Sequence, residues 1–223
     1  MTQVIRNITR PAPELIRAVA EFPPATLHEA QGRRGAFDWR IKPIYPGMQC
    51  CGPALTVRCT PGDNLMLALA IALAQPGDVL VIDAGDSPEQ GPFGEVLATA
   101  AMARGVAGLV FNSAVRDGPA IRALGLPVFA RGLCMKGTVK ETLGEVNHPV
   151  VVGGVHVRPG DIICADDDGV VLVKPEQAAQ VAAASRARED KEAEFMQRLR
   201  AGENVVQVLG LDQVLTAKGC RWE

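Results

Sequence analysis

Residues 79–112 read VLVIDAGDSPEQGPFGEVLATAAMARGVAGLVFN, and the alternation inside this stretch decides the fold class. It opens on Val79-Leu80-Val81-Ile82-Asp83, a strand too apolar to expose either face. A polar loop with Pro88, Gly91 and Pro92 follows, residues 94–104 read as a helix closed by Gly105, and residues 108–112 return to a second buried strand. The pattern repeats through a loop carrying Arg116 and Asp117, a short helix over 119–124, Gly125 and a strand over 128–130. Strand, loop, helix, strand with short links is the βαβ signature. It predicts a parallel α/β sheet whose loops gather at the C-terminal ends of the strands, where open α/β sheets bind ligands.

Working outward, Pro61-Gly62-Asp63-Asn64 offers a turn and a cap, residues 65–74 read as a buried helix, and Gln75-Pro76-Gly77-Asp78 stops it. Residues 150–173 change to closely spaced strands, broken by Arg158-Pro159-Gly160 and Asp166-Asp167-Asp168-Gly169. The three consecutive aspartates look like a cation site, but they lack the spaced ligands of a calcium loop and suit a hairpin turn. A long helix over about 175–200, rich in Ala, Glu and Arg, is followed by a tail. The expectation is one domain over residues 1–200 and a C-terminal tail, 201–223, packing on an oligomer.

At 223 residues and 48% hydrophobic, the chain can bury one good core. Its 23 basic and 25 acidic residues give a net charge of -2, which leaves no electrostatic footprint for nucleic acid or an anionic membrane. The first residues carry no apolar block of secretory type, and the longest apolar run, 65–74, is about half of the roughly 20 residues needed to cross a bilayer. A soluble, cytoplasmic protein is expected. The six cysteines form no C-x-x-C pair and read as reduced, buried thiols. His28, His148 and His156 lack metal-ligand spacing, so any metal must be held by oxygen.

Three features on the expected ligand edge could carry chemistry. Gly94-Glu95-Val96-Leu97 leads a glycine-rich loop into a helix, whose free N–H groups can hold a carboxylate or phosphate; equally, Glu95 favours the positive end of any helix dipole. Arg116-Asp117 joins a planar cationic fork, suited to a carboxylate or enolate oxygen, to an acid able to hold a hard divalent ion. The same pair also reads as a turn with an exposed ion pair. Glu192 shares a helix stripe with Val181, Phe195 and Leu199, with Arg188 as an i,i+4 partner. Lys136 and Lys140 sit among polar and Gly neighbours, unlike the desolvated amine that a Schiff-base mechanism needs.

The runs GDN at 62–64, GEVLATAAMARGVAGLV at 94–110, AVRD at 114–117, GLPVF at 125–129 and PGDIICADDDGV at 159–170 resemble the divalent-metal-dependent HMG/CHA aldolases. These are the 4-hydroxy-4-methyl-2-oxoglutarate and 4-carboxy-4-hydroxy-2-oxoadipate aldolases, which share their fold with the regulator of ribonuclease E activity. The similarity covers roughly residues 25–200, and GTVKETLG at 137–144 leans toward the second group. The family spacing of an acid, twenty positions and then Arg-Asp is met by Glu95, Arg116 and Asp117, with Glu95 where these aldolases often have Asp.

The resemblance implies a swivelling β/β/α domain assembled as trimers or hexamers, with the active site at a subunit boundary. It implies a class II lyase that cleaves a 4-hydroxy-2-oxo acid to pyruvate and a second 2-oxo acid and also decarboxylates oxaloacetate. Mg²⁺ or Mn²⁺ would be held by Asp117 and, through water, by Glu192 of an adjacent subunit. Gly94, Glu95, Val96, Leu97 and Arg116 would bind substrate, with Arg116, Glu95 and Asp117 catalytic. The other branch of the fold implies a non-catalytic regulator of ribonuclease E.

Overall fold

Val79–Asp83 lies in the middle of an eight-stranded mixed sheet, in a computed structural model that describes residues 3–221. The order across the sheet is Lys42–Pro43, Val128–Ala130, Gly108–Phe111, Val79–Asp83, Cys50–Arg58, Ile162–Asp166 and Gly169–Val173, with Glu145–Val146 added against the end of Cys50–Arg58. The four strands from Val128–Ala130 to Cys50–Arg58 run parallel, as the βαβ reading requires, and the remaining pairings are antiparallel. Residues 35–43 bind both edges. The Phe37 N–H donates to the Val170 carbonyl at 3.0 Å, the Leu172 N–H donates to the Gly35 carbonyl at 2.9 Å, and Lys42 pairs with Ala130. The sheet is therefore nearly closed into a barrel.

The unbroken apolar strands follow from burial on both faces. Leu80 and Ile82 pack outward against Leu67 and Ile71 of the helix Leu65–Leu73 and Ala98 and Ala101 of the helix Glu95–Ala103. Val79 and Val81 point the other way, onto Val110, Phe129, Ile163 and Leu172. Each such side chain contributes about 1.5–3 kcal/mol on full burial, so a polar residue at any of these positions would oppose the fold. A third cluster joins Ile162, Cys164 and Val171 to Val19 and Leu27 of the N-terminal helices, Phe22 between them, and Val181 of the C-terminal helix.

Asp166-Asp167-Asp168-Gly169 is the hairpin turn expected from the sequence. Asp166 pairs with Gly169, the Asp168 N–H donates to Asp166 Oδ1 at 2.9 Å, and Asp167 accepts the Gly47 N–H. All six cysteines are free, although Cys220 is exposed; burial pushes the Cys59 thiol up to about 12. The helices Pro13–Ala20 and Pro24–Ala30 and the long strand Cys50–Arg58 are additions to the sequence reading. The C-terminal helix is a 3-10 turn, Pro175–Gln177, continued by Ala178–Arg200. Its first turns rest on the two N-terminal helices, whereas its buried residues are confined to Ala178, Val181 and Ser185. The tail contains two further short helices, Val205–Val208 and Leu211–Ala217.

Candidate functional site

Two neighbouring parallel strands, Val79–Asp83 and Gly108–Phe111, deliver their following loops to one corner. Buried Asn112 ties their ends together: its Nδ2 donates to Asp83 Oδ1 and its Oδ1 accepts the Ala84 N–H, both at 3.0 Å. The short strand Ala114–Val115 then pairs with Gly132–Leu133 and carries the chain to Arg116. The Arg116 N–H donates to the Phe93 carbonyl at 2.8 Å, which draws the loop ahead of Glu95–Ala103 against Arg116.

Asp117 adopts the left-handed conformation at φ 57° and ψ 36°, a region that L residues other than Asn and Asp seldom enter. It occupies the N-cap position of Gly118–Leu124, yet its side chain does not cap that helix. Its Oδ2 accepts the Glu95 N–H at 3.0 Å, at the start of the other helix, and lies 3.6 Å from Arg116 Nε. The close approach explains Gly94. Its backbone is extended, so conformation does not demand glycine, but a Cβ there would lie 2.3 Å from Asp117 Oδ2 and 2.9 Å from Arg116 Cγ. Gly91 is tight for a similar reason, with a Cβ 2.2 Å from the Cys134 carbonyl oxygen.

Gly94, Glu95, Val96, Leu97, Arg116 and Asp117 are thus brought together. One expected substrate contact is already occupied, because the Glu95 N–H is bound by Asp117. Among the described residues no acceptor meets the Val96 and Leu97 N–H groups, which remain the free donors of this helix start. The Arg116 and Asp117 side chains are each 42% exposed. The corner is open in the single chain: none of its residues lines the cavity of about 460 Å³ bounded by Glu21, Phe22, Gln49, Cys51, Cys164 and Asp166.

Glu192 is not part of this corner within one chain. Its Oε1 accepts from Arg188 Nη2 at 2.8 Å, and Arg188 also approaches Glu29 at 3.8 Å. The apolar stripe that it was expected to share is buried at Val181 but 37% exposed at Leu199. The sequence reading also missed a second wall. Asn64 Nδ2 donates to the Pro92 carbonyl at 2.8 Å, the Gly91 N–H donates to the Lys136 carbonyl at 3.0 Å, and Lys136 pairs with Glu89 at 2.6 Å. GDN at 62–64 was the available signal, but as local sequence it announces only a turn.

A metal fits this donor set in one form. Asp117 Oδ1 has no protein partner among the described residues, and no three His, Cys, Asp or Glu side chains converge there or elsewhere in them. One partly exposed carboxylate suits a hard ion that keeps most of its water, as Mg²⁺ does, and does not suit a soft or cage-bound ion.

A family model described as RraA-like, Aldolase/RraA, matches residues 17–172, which include the Arg116–Asp117 corner and stop short of Glu192. A protein of Halalkalibacterium halodurans, named as a candidate 4-hydroxy-4-methyl-2-oxoglutarate aldolase, is 40% identical over 141 residues, 63% of this chain and 67% of that protein. The structure of Streptomyces coelicolor RraAS2, described as an unusual member of the RNase ES inhibitor RraA protein family, superposes with a TM-score of 0.76 at 31% identity, covering 86% of this chain and 99% of that one. A protein structure from Pseudomonas syringae pv. tomato gives a TM-score of 0.80 at 26% identity over 91% of this chain and 96% of that one.

Proposed function

This chain belongs to the RraA-like, Aldolase/RraA family, and from that premise we propose that it is a divalent-metal-dependent pyruvate aldolase acting on 4-hydroxy-2-oxo acids. The observation that carries the reading is the Asp117 carboxylate, turned away from its own helix, beside the Arg116 guanidinium and the free Val96 and Leu97 N–H groups. The corner thus offers a place for a cation and two places for anionic oxygens. The relative from H. halodurans points to 4-hydroxy-4-methyl-2-oxoglutarate, and 4-carboxy-4-hydroxy-2-oxoadipate has the same reacting atoms.

Asp117 would hold Mg²⁺ or Mn²⁺ largely through water, with Glu192 of an adjacent subunit completing the water shell. When bound, the ion supplies Lewis-acid stabilisation of negative oxygen. The Val96 and Leu97 N–H groups would receive the C1 carboxylate. Glu95, or a water ordered by the ion, would take the C4 hydroxyl proton. As that proton leaves, C4 becomes a carbonyl, the C3–C4 bond breaks, and its electron pair passes to the C2–C3 enolate, whose oxygen Arg116 would stabilise. Protonation at C3 then gives pyruvate. Oxaloacetate loses CO₂ through the same enolate, so decarboxylation is expected as a side activity.

Pyruvate release from the two 4-hydroxy-2-oxo acids and from oxaloacetate, with Mg²⁺ and after exhaustive chelation, tests this reading. Release that requires the ion is expected; full turnover after chelation would sink the metal mechanism. The similarity to RraAS2 supports a second reading, inhibition of an RNase E-type nuclease. Nuclease inhibition that survives Asp117→Ala, without pyruvate release from any substrate, would favour it.

A further inference from the structure

The side chain that organises the second wall of the site is Asp63. It is 2% exposed, and its Oδ1 accepts the Leu65 N–H at 2.8 Å at the start of the helix Leu65–Leu73. Its Oδ2 accepts two more N–H groups from a distant segment, Glu141 at 2.8 Å and Thr142 at 2.7 Å. The backbone on either side joins the same contact: the Val139 N–H donates to the Gly62 carbonyl at 3.0 Å and the Asn64 N–H to the Val139 carbonyl at 3.1 Å. Burial by itself would raise the Asp63 carboxyl, yet the Leu65, Glu141 and Thr142 N–H groups hold it below its ordinary range.

The segment pinned in this way reaches the catalytic corner at its other end. Lys136 accepts the Gly91 N–H, and the Gly137 backbone faces the Arg116 guanidinium, so that a Cβ there would lie 3.8 Å from Nη1. Asn64, next to Asp63, holds the Pro92 carbonyl two residues ahead of Gly94. Residues 62–64 therefore fasten both loops that flank Arg116. Residues 136–142 have little regular structure of their own, and most of their side chains are exposed. Without the Asp63 anchor, few buried contacts would fix where this wall stands.

We propose that Asp63 is a positioning residue for the proposed aldolase site, setting the place of the 136–142 wall over Arg116 through its buried carboxylate. The inference rests on the reading of the Arg116–Asp117 corner as the active site. It assigns Asp63 no contact with substrate or ion. A wall whose Gly137 leaves room for little more than an added Cβ before Arg116 Nη1 limits both where substrate lies and how the guanidinium turns, and small misplacements of reacting groups are costly.

Asp63→Asn keeps the shape and turns one acceptor into a donor, so at least one N–H group is left facing another N–H. Hydrogen exchange of the assembled protein should show the Glu141 and Thr142 amides exchanging about tenfold faster or more, with the Glu95–Ala103 helix unchanged. KM should rise about tenfold, and the Mg²⁺ concentration giving half-maximal activity should stay as in the wild type. Thr142→Pro, which removes one donor from an exposed position and leaves the buried carboxylate in place, should give a smaller effect in the same direction and serves if Asp63→Asn does not fold. Wild-type KM and kcat in a folded variant whose Glu141 amide, and in Asp63→Asn also the Thr142 amide, has lost protection would overturn the proposal, as would unchanged protection. A wild-type protein that releases no pyruvate would instead overturn the aldolase reading, and the exchange measurement would still decide whether Asp63 holds the wall.

Discussion

The Arg116–Asp117 corner and the distal half of the C-terminal helix both present charged pairs to solvent, but they are fixed in different ways. At the corner, every position is set by contacts from afar: Arg116 N–H to Phe93, Asp117 Oδ2 to the Glu95 N–H, and a space at Gly94 that only hydrogen fits. On the distal helix, Glu192 meets Arg188 one turn away and the surrounding residues are largely exposed. One region is complete as folded in a single chain. The other has a carboxylate whose local partner explains little, since an exposed i,i+4 pair is worth only about 0.3–0.5 kcal/mol. The difference is what the proposal of a shared site rests on: the single chain builds the Arg116–Asp117 corner, and Glu192 lies away from it.

The largest expected effect tests the complete half. Asp117→Ala removes the acceptor of the Glu95 N–H and the carboxylate proposed to hold the ion, so kcat/KM for pyruvate release should fall about 10³-fold. Arg116→Lys retains charge but not the fork and should not restore full activity where Arg116→Ala has lost it. If Asp117→Ala stays within a few-fold of wild type under saturating Mg²⁺, the corner is not the catalytic one.

A smaller change separates shape from charge. Gly94→Ala adds one methyl group where Asp117 Oδ2 and Arg116 Cγ already stand, and the backbone there is extended, so any loss comes from crowding and not from strain in φ. The methyl must push Asp117 away from the Glu95 N–H. Activity should drop about 10²-fold while the fold, read by thermal unfolding, is kept. A fully active Gly94→Ala would show that the Asp117 contact to the helix start is dispensable.

These contacts also mark where the sequence stopped being legible. The strands on both sides of Glu95–Ala103 could be read because an unbroken apolar run between turn residues has few other uses. The strand Cys50–Arg58 could not, since Gly52 and Pro53 look like punctuation; in the fold, Gly52 is needed where a Cβ would lie 2.1 Å from the Gly77 carbonyl oxygen. The same limit applies at the site. Arg116-Asp117 read equally as a surface turn or a ligand site, because what distinguishes them is the left-handed Asp117 backbone and a bond to residue 95, both products of tertiary packing. Asp63 read as part of a turn and cap; Asn64 takes the N-cap position, and Asp63 accepts the Leu65 N–H, but its two other donors come from residues 141 and 142. Family resemblance supplied the residues that local patterns left undecided, and the family match over residues 17–172 shows the family without assigning a role to any of them.

Glu192 carries the smallest effect on the chain and the sharpest test of the comparison. Within one chain its loss removes a single helix-surface pair, so Glu192→Ala should lower the stability of the protomer by only about 0.2–0.5 kcal/mol. If its proposed role lies in the neighbour's site, the same variant should nonetheless be inactive, which a purely local partner of Arg188 would not be. Mixing then gives the decisive reading. In a cyclic assembly formed at equal amounts from Asp117→Asn and Glu192→Ala chains, a site is intact when an Asp117 from one chain meets a Glu192 from the next, which chance pairing gives for roughly a quarter of sites. Activity should recover toward that fraction in hybrids whose composition is established by native mass spectrometry. Hybrids as inactive as both parents, with each parent well folded, would end the shared-site proposal and return Glu192 to the helix surface, where Arg188 alone accounts for it.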